Sequence, residues 1–206
     1  MATGGGVAGK LEAISLAAGA GTRFGGAKLT APWRGGQLND GALAAAFAAP
    51  VRLVTVVTGA DPNVAGAARA FAQAAGQDDR LCVVHAKDHA RGMAASLRAG
   101  IEALPPDAAG AFVFLGDMPR IPAAILAPLA DALAGDALAA APLFEGRRGH
   151  PVLFSRALFD ALRALAGDAG ARRLLGGLGS GLAGIPTPDA GVLYDVDLKT
   201  PSDSAP

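Results

Sequence analysis

The 206-residue chain is 51% hydrophobic and 17% charged, which excludes a disordered chain and is enough for one sizeable core. Eighteen Lys and Arg balance eighteen Asp and Glu, with no basic block, so a nucleic-acid polymer, which needs a Lys/Arg surplus on one face, is not expected as a partner. One cysteine, Cys82, cannot close an internal disulfide; there is no leader-like start in MATGGGVAGK and no uninterrupted apolar run of about 20 residues, so a soluble cytoplasmic protein without a membrane partner is expected.

In chain order, Leu11 to Ala17 is a short apolar run stopped by glycine, the mark of a buried strand. A glycine-rich loop, Gly19 to Lys28, follows it. Ala-rich stretches of helical length at 38–48, 63–75 and 93–103 alternate with strand-like runs at 51–58 (VRLVTVVT), 81–85 and 111–115 (AFVFL). Strand and helix alternating at this spacing predict βαβ units. In the run over 81–85, Cys82 is expected as a small buried core residue.

Beyond Pro119 the pattern predicts a helix over 121–134, a strand over 137–143 and a hairpin across FEGRRGHPVLF that turns at Glu145-Gly146. Helices over 156–166 and 169–176 and a last strand over 191–196 complete it. The expectation is a single α/β domain over 11–197, with 1–10 and 198–206 as flexible tails.

Open α/β sheets bind ligands beyond the carboxyl ends of their strands. Glycines and polar residues gather at those places: Gly19 to Lys28, Gly116-Asp117, and Asp195 with Asp197. The loop does not match two standard phosphate motifs. The dinucleotide pattern G-x-G-x-x-G has Phe24 at its third glycine, and Thr58-Gly59 stands where the second strand should end in an acid. The P-loop pattern has Ala27 at its lysine position, and Leu29 after Lys28 supplies no metal-binding hydroxyl. The physics still favours a polyphosphate: successive glycines can turn N–H groups inward, Arg23 can fork across two oxygens, and Lys28 adds a point charge. A solvated surface loop is the alternative.

The stretch from Leu16 to Leu29, LAAGAGTRFGGAKL, resembles the signature loop of the MobA-like nucleotidyltransferases, within which the molybdenum cofactor cytidylyltransferases are most similar. The resemblance continues in order through Pro32 to Gly35, Gly92-Met93 to Gly100, Leu115 to Pro119, Gly149 to Phe154, Gly167-Asp168 to Leu175, and Asp195 to Asp197. It implies a Rossmann-like three-layer α/β/α fold of the nucleotide-diphospho-sugar transferase type, with a mainly parallel mixed sheet. It also implies an enzyme that transfers CMP from CTP to the phosphate of molybdopterin with Mg2+ and releases pyrophosphate. A molybdoenzyme or its chaperone is the implied protein partner.

By the same resemblance Arg23, Lys28 and Asp117 are catalytic. Leu16, Ala17, Ala18, Gly19, Gly21, Arg23, Lys28, Gly92, Met93 and Ser96 bind the nucleotide, Asp117 and Asp197 hold the metal, and His150 with Pro151 lies on the acceptor side. Other readings stand beside these. Asp117 could cap the helix near Pro122. His150 could be a surface histidine in a turn; Arg147 and Arg148 could attract a phosphorylated acceptor, though a solvated hairpin tip is the commoner role for such a pair. His85 and His89 are expected as structural or surface residues, because His85 ends a strand and the pair does not share one helix face. Asp195 should point away from Asp197 on a strand.

Ala18 favours CTP over GTP, since members using GTP carry glycine there; UTP is less well separated. The chain departs from the family at Ala94 and Ala95, where serines are usual, at the polar entry Gln37 to Gly41, and at an apparent Leu198-Lys199 insertion. The open alternatives are a guanylyl- or uridylyltransferase for another phosphorylated acceptor, including a sugar phosphate, and a non-catalytic nucleotide- or cofactor-binding protein of the same fold. NAD(P) binding by the first βαβ unit is a further one.

Overall fold

A computed structural model describes residues 10–167 and 171–197, apart from the side chain of Arg23. The expected tails and the Leu198-Lys199 insertion lie almost wholly outside those residues. A mixed sheet of eight strands forms the middle layer. It comprises β1 (Leu11–Ala17), β4 (Val54–Thr58), β5 (Leu81–His85), β6 (Gly110–Leu115), β7 (Ala139–Phe144), β8 (Arg147–Arg148), β9 (Val152–Ser155) and β10 (Leu182–Pro186). The order is β10-β7-β9-β6-β1-β4-β5, with β8 paired to β7; β8 and β9 run antiparallel to their neighbours, and the other pairings are parallel. A two-stranded ribbon of β2 (Pro32–Trp33) and β3 (Gly36–Gln37) lies apart from it.

The helices take both faces. Those of α1 (Leu38–Ala48), α2 (Val64–Ala74) and α4 (Leu126–Ala134) bury Leu43, Ala68 and Leu129 against Leu11, Ala13 and Phe112 of the sheet. On the other face α3 (Met93–Glu102), α5 (Phe159–Arg163) and α6 (Arg172–Gly177) bury Leu97, Leu162 and Leu175 against Ile14, Val57 and Val113. Ala13 and Ile14 facing opposite layers is the period-2 alternation of a strand buried on both sides. This is the three-layer architecture that the alternating pattern and the resemblance implied. Among the described residues no helix is long and apolar enough to cross a membrane.

Several boundaries move. The final strand expected over 191–196 does not form: Ala190–Leu193 is a short 3-10 turn, because the Asp189 carboxylate accepts from Gly191 N–H at 2.7 Å and starts a turn there, and 194–197 have no regular structure. The final strand is β10, in the glycine-rich stretch before it, where its only partner is β7. Gly184 and Pro186 are tolerated at that outer edge, where no second ladder needs their side chains or N–H groups. Cys82, expected as buried core, is half-buried because β5 is the opposite edge. The hairpin turns at Glu145 and Gly146 as predicted, both at positive φ. Its return strand breaks after β8, and β9 then inserts between β7 and β6. That break places Gly149 and His150 at the upper end of the sheet, beside the strand ends of β6 and β7.

Candidate functional site

The loop after β1 is held on one carbonyl: Phe24 and Gly26 N–H both donate to Gly21 O, at 2.9 and 3.0 Å. Those two amides are therefore committed within the loop, and Gly19 to Gly21 is the part that fronts the cleft. Gly21 has φ of 58°, and a Cβ there would lie 2.7 Å from Lys28 Cβ. Glycine thus supplies both the left-handed backbone and the room for Lys28 to fold back across the loop.

Lys28 Nζ donates to Asp117 Oδ2 at 2.7 Å and lies 3.7 Å from Asp197 Oδ1. The lysine side chain is 11% exposed and that of Asp197 61%, so one ammonium sits under two carboxylates that open to solvent. Asp117 follows the end of β6, where Gly116 N–H donates to Leu16 O and Met118 N–H to Leu115 O. The tail carrying Asp197 is tied to the same place, since Val196 N–H donates to the Asp117 carbonyl at 3.1 Å. Asp117 caps no helix: the short helical turn near it starts at Pro122 without a side-chain cap. Asp195 is exposed and, with no strand here, its predicted strand alternation with Asp197 does not apply.

A cleft of about 310 Å3 is lined by Leu16, Ala18, Gly19, Gly21, Lys28, Gly92, Met93, Ser96 and Asp117. Nine of the residues singled out from sequence therefore meet at one place. Ala17 does not: its side chain is buried in the opposite core, because neighbours along β1 alternate in direction. Ala94 is buried and does not line the cleft, whereas Ser96 does. Gly92, with φ of 106°, opens α3 toward the cleft, and Met93 stands 42% exposed there. A large apolar side chain exposed at a cavity is a contact surface rather than core. His89 also lines this cleft, with its ring 5.9 Å from that of His85. The sequence reading took it for a structural or surface histidine, since only the fold of the β5–α3 connection brings it to the cleft.

Leu16, Met93 and Leu115 are shared with an adjoining chamber of about 870 Å3, within the usual range for ligand pockets. His150 lines that chamber; Pro151 is buried beside it and does not. Burial pushes the His150 imidazole pKa below its ordinary value; the Val113 carbonyl and Asp117 act against that, and Arg148 and Arg172 reinforce it. His150 Nδ1 is enclosed without a protein partner. Arg147 and Arg148 line the chamber as well, so the hairpin tip is not simply solvated.

Asp117 and Asp197 converge on one positive charge, the Lys28 ammonium, so their carboxylates lie on one side of the site. Among the described residues no group of three or more His, Cys, Asp or Glu gathers. A pair of carboxylates suits Mg2+, which completes its shell with phosphate oxygens and water.

A family model described as the MobA-like NTP transferase domain matches residues 13–182. The chain is 32% identical over 190 residues to the purine catabolism protein PucB of Bacillus subtilis, covering 91% of each chain. It is 28% identical over 148 residues to the molybdenum cofactor cytidylyltransferase of Escherichia coli, covering 71% of this chain and 70% of that one. Its structure is similar to that of Rv0371c from Mycobacterium tuberculosis, with a TM-score of 0.77, 28% identity and coverage of 92% and 93%. A second structure of Rv0371c, in complex with manganese, matches with a TM-score of 0.72 at 24% identity, covering 94% of this chain and 95% of that one.

Proposed function

Because the chain belongs to the MobA-like NTP transferase family and is a nucleotidyltransferase, we propose that it transfers CMP from CTP to the phosphate of molybdopterin, with Mg2+, and releases pyrophosphate. The observation that carries this reading is the Lys28 ammonium between Asp117 and Asp197, beside the glycine loop in the smaller of two adjoining cavities.

In this reading Gly19 to Gly21 and Arg23 bind the triphosphate, and Lys28 exchanges part of its contact with Asp117 for a phosphate oxygen. Asp117 and Asp197 would hold the metal ion, which when bound neutralises charge on the phosphate oxygens. An oxygen of the acceptor phosphate attacks the α-phosphorus in line. The bond from that phosphorus to the bridging oxygen breaks as the new bond forms, and pyrophosphate leaves. An anionic acceptor phosphate has no proton to lose, so no general base is required. Catalysis rests on positioning and charge neutralisation.

Ala18 supports CTP, because its methyl group lines the cleft and narrows the space a purine would occupy. Gly59 leaves the space that Ala18 occupies, since a Cβ there would lie 2.8 Å from the Ala18 Cβ. His150 and the chamber would receive the acceptor. The likeness to a protein named for purine catabolism favours a second reading, in which the same transfer serves an enzyme of that process.

Thermal stability with CTP, GTP, UTP, ATP and NAD, each with and without Mg2+, tests the assignment. Ligand at about 100 times its dissociation constant adds roughly 2.7 kcal/mol, a rise of several degrees at this size. A Mg2+-dependent rise confined to CTP is expected. A preference for GTP or UTP would change the substrate, and no rise with any nucleoside triphosphate would refute the reading.

A further inference from the structure

The large chamber carries a charge pattern that the transfer reaction leaves unexplained. Among the described residues its lining contains Arg147 and Arg148 from β8 and Arg172 and Arg173 from α6, together with His150, and no Asp or Glu. The chain as a whole has no net charge, so four guanidinium groups have been concentrated against one apolar wall of Leu97, Val113, Val152 and Phe154. None of the four makes an ion pair or a hydrogen bond among the described residues. Elsewhere Arg52 grips Asp107, Arg80 donates to Val51 O, Arg98 to Leu165 O and Arg156 to Ala108 O. Arginines that serve the fold are paired; these are not.

Their position separates them from the triphosphate. The attacking phosphate must lie at the seam between the cavities, by Leu16, Met93 and Leu115, and none of the four arginines lines the smaller cleft. All four line the chamber, Arg148 half-buried and the other three exposed, and the charges of Arg148 and Arg172 act on the His150 ring.

We propose that the chamber selects an acceptor with an apolar body and a second anionic group, remote from the phosphate that attacks, held by Arg148 and Arg172 with Arg147 and Arg173 beside them. The assignment of that anion to the acceptor rests on the transferase reading; the anion subsite itself does not. Guanidinium groups suit planar or tetrahedral oxyanions, which they can grip through two N–H groups at once.

The test uses two probes with one body, naphthalene-1-sulfonate and naphthalene-1,5-disulfonate, titrated calorimetrically into the whole protein with CTP and Mg2+ present. The disulfonate is expected to bind at least tenfold tighter than the monosulfonate, and Arg148→Ala and Arg172→Ala should each remove about tenfold of that affinity. Arg148→Lys should restore part of it, and Arg69→Ala, on the exposed face of α2 away from both cavities, should leave it unchanged. Equal affinity for the two probes would overturn the proposal, as would competition between the disulfonate and CTP or an equal loss of binding in Arg69→Ala. Discriminating disulfonate binding in a protein that no nucleoside triphosphate stabilises would refute the transferase reading and leave the subsite standing. Nucleotide binding without that discrimination would do the reverse.

Discussion

Lys28 and Asp117 lie 89 residues apart in sequence and 2.7 Å apart in space, joining the loop after β1 to the end of β6. The two strands are parallel neighbours in register, Leu16 beside Leu115, so both loops emerge at the same sheet edge. Lys28→Ala is expected to abolish the Mg2+·CTP-dependent rise in melting temperature and to lower pyrophosphate release by about two to three orders of magnitude, as loss of one preorganised charge does. Asp117→Asn should keep a metal-independent nucleotide shift while losing its response to Mg2+. An Asp117→Asn protein that still responds to Mg2+ as the natural one does would remove Asp117 from the metal site.

The floor of the site depends on a close approach. A Cβ on Gly41 in α1 would overlap the Pro119 carbonyl, two residues after Asp117. Gly41→Ala must push α1 or the Asp117 turn aside and is expected to cost about 1–3 kcal/mol. A lower urea midpoint at unchanged slope would show it. Nucleotide affinity should fall with it, because the displaced turn carries the carboxylate.

Asn39, in the unusually polar entry to α1, is buried, and neither atom of its amide group has a protein partner. Its Oδ1 lies 2.8 Å from where a Cβ on Gly116 would be, so it packs directly beneath the strand end that carries Asp117. A desolvated amide without a partner costs about 1–3 kcal/mol. Asn39→Leu is therefore expected to raise stability by about 1 kcal/mol after some loss to overpacking, measured by urea denaturation. A fall in stability would mean that the amide is satisfied by something other than protein.

Protonation of His150 gives a signed pH effect. Burial holds its folded pKa below the ordinary value, with Arg148 and Arg172 disfavouring the cation and Asp117 and the Val113 carbonyl favouring it. Between the folded and unfolded values the unfolded chain binds more protons, so stability is full above the ordinary histidine range and falls as pH drops through it. The slope approaches one proton, about 1.4 kcal/mol per pH unit. His150→Phe should lose that slope between pH 7 and pH 5, seen by comparing denaturation midpoints of the two proteins; an unchanged slope would assign the effect elsewhere.

Much of this molecule could be read along the chain. Leu11 to Ala17, Leu81 to His85 and the helix over 38–48 carry their own signals, a β-rich apolar run or an alanine stretch between breakers, which act over a few residues. The glycine loop, Lys28 and Asp117 stood out because strand ends in an open α/β sheet gather ligand-binding residues, and Gly92 and Ser96 through the family resemblance. β10 was not, since its glycines and proline read as loop and only pairing with β7 at the sheet edge makes it a strand. The partition of side chains along β1, with Leu16 in the cleft and Ala17 in the core, needed the strand's orientation in the sheet.

The sequence by itself determined most element types and the alternating α/β pattern, because those follow from local propensity and short-range pattern, while the three-layer class and most site residues were legible through the family resemblance. Tertiary structure decided that Lys28 is shared by Asp117 and Asp197 and that Arg147, Arg148, Arg172 and Arg173 line one chamber with His150. These relationships join residues far apart in sequence through sheet order, β9 between β6 and β7 above all, and no local propensity encodes which strand will be whose neighbour.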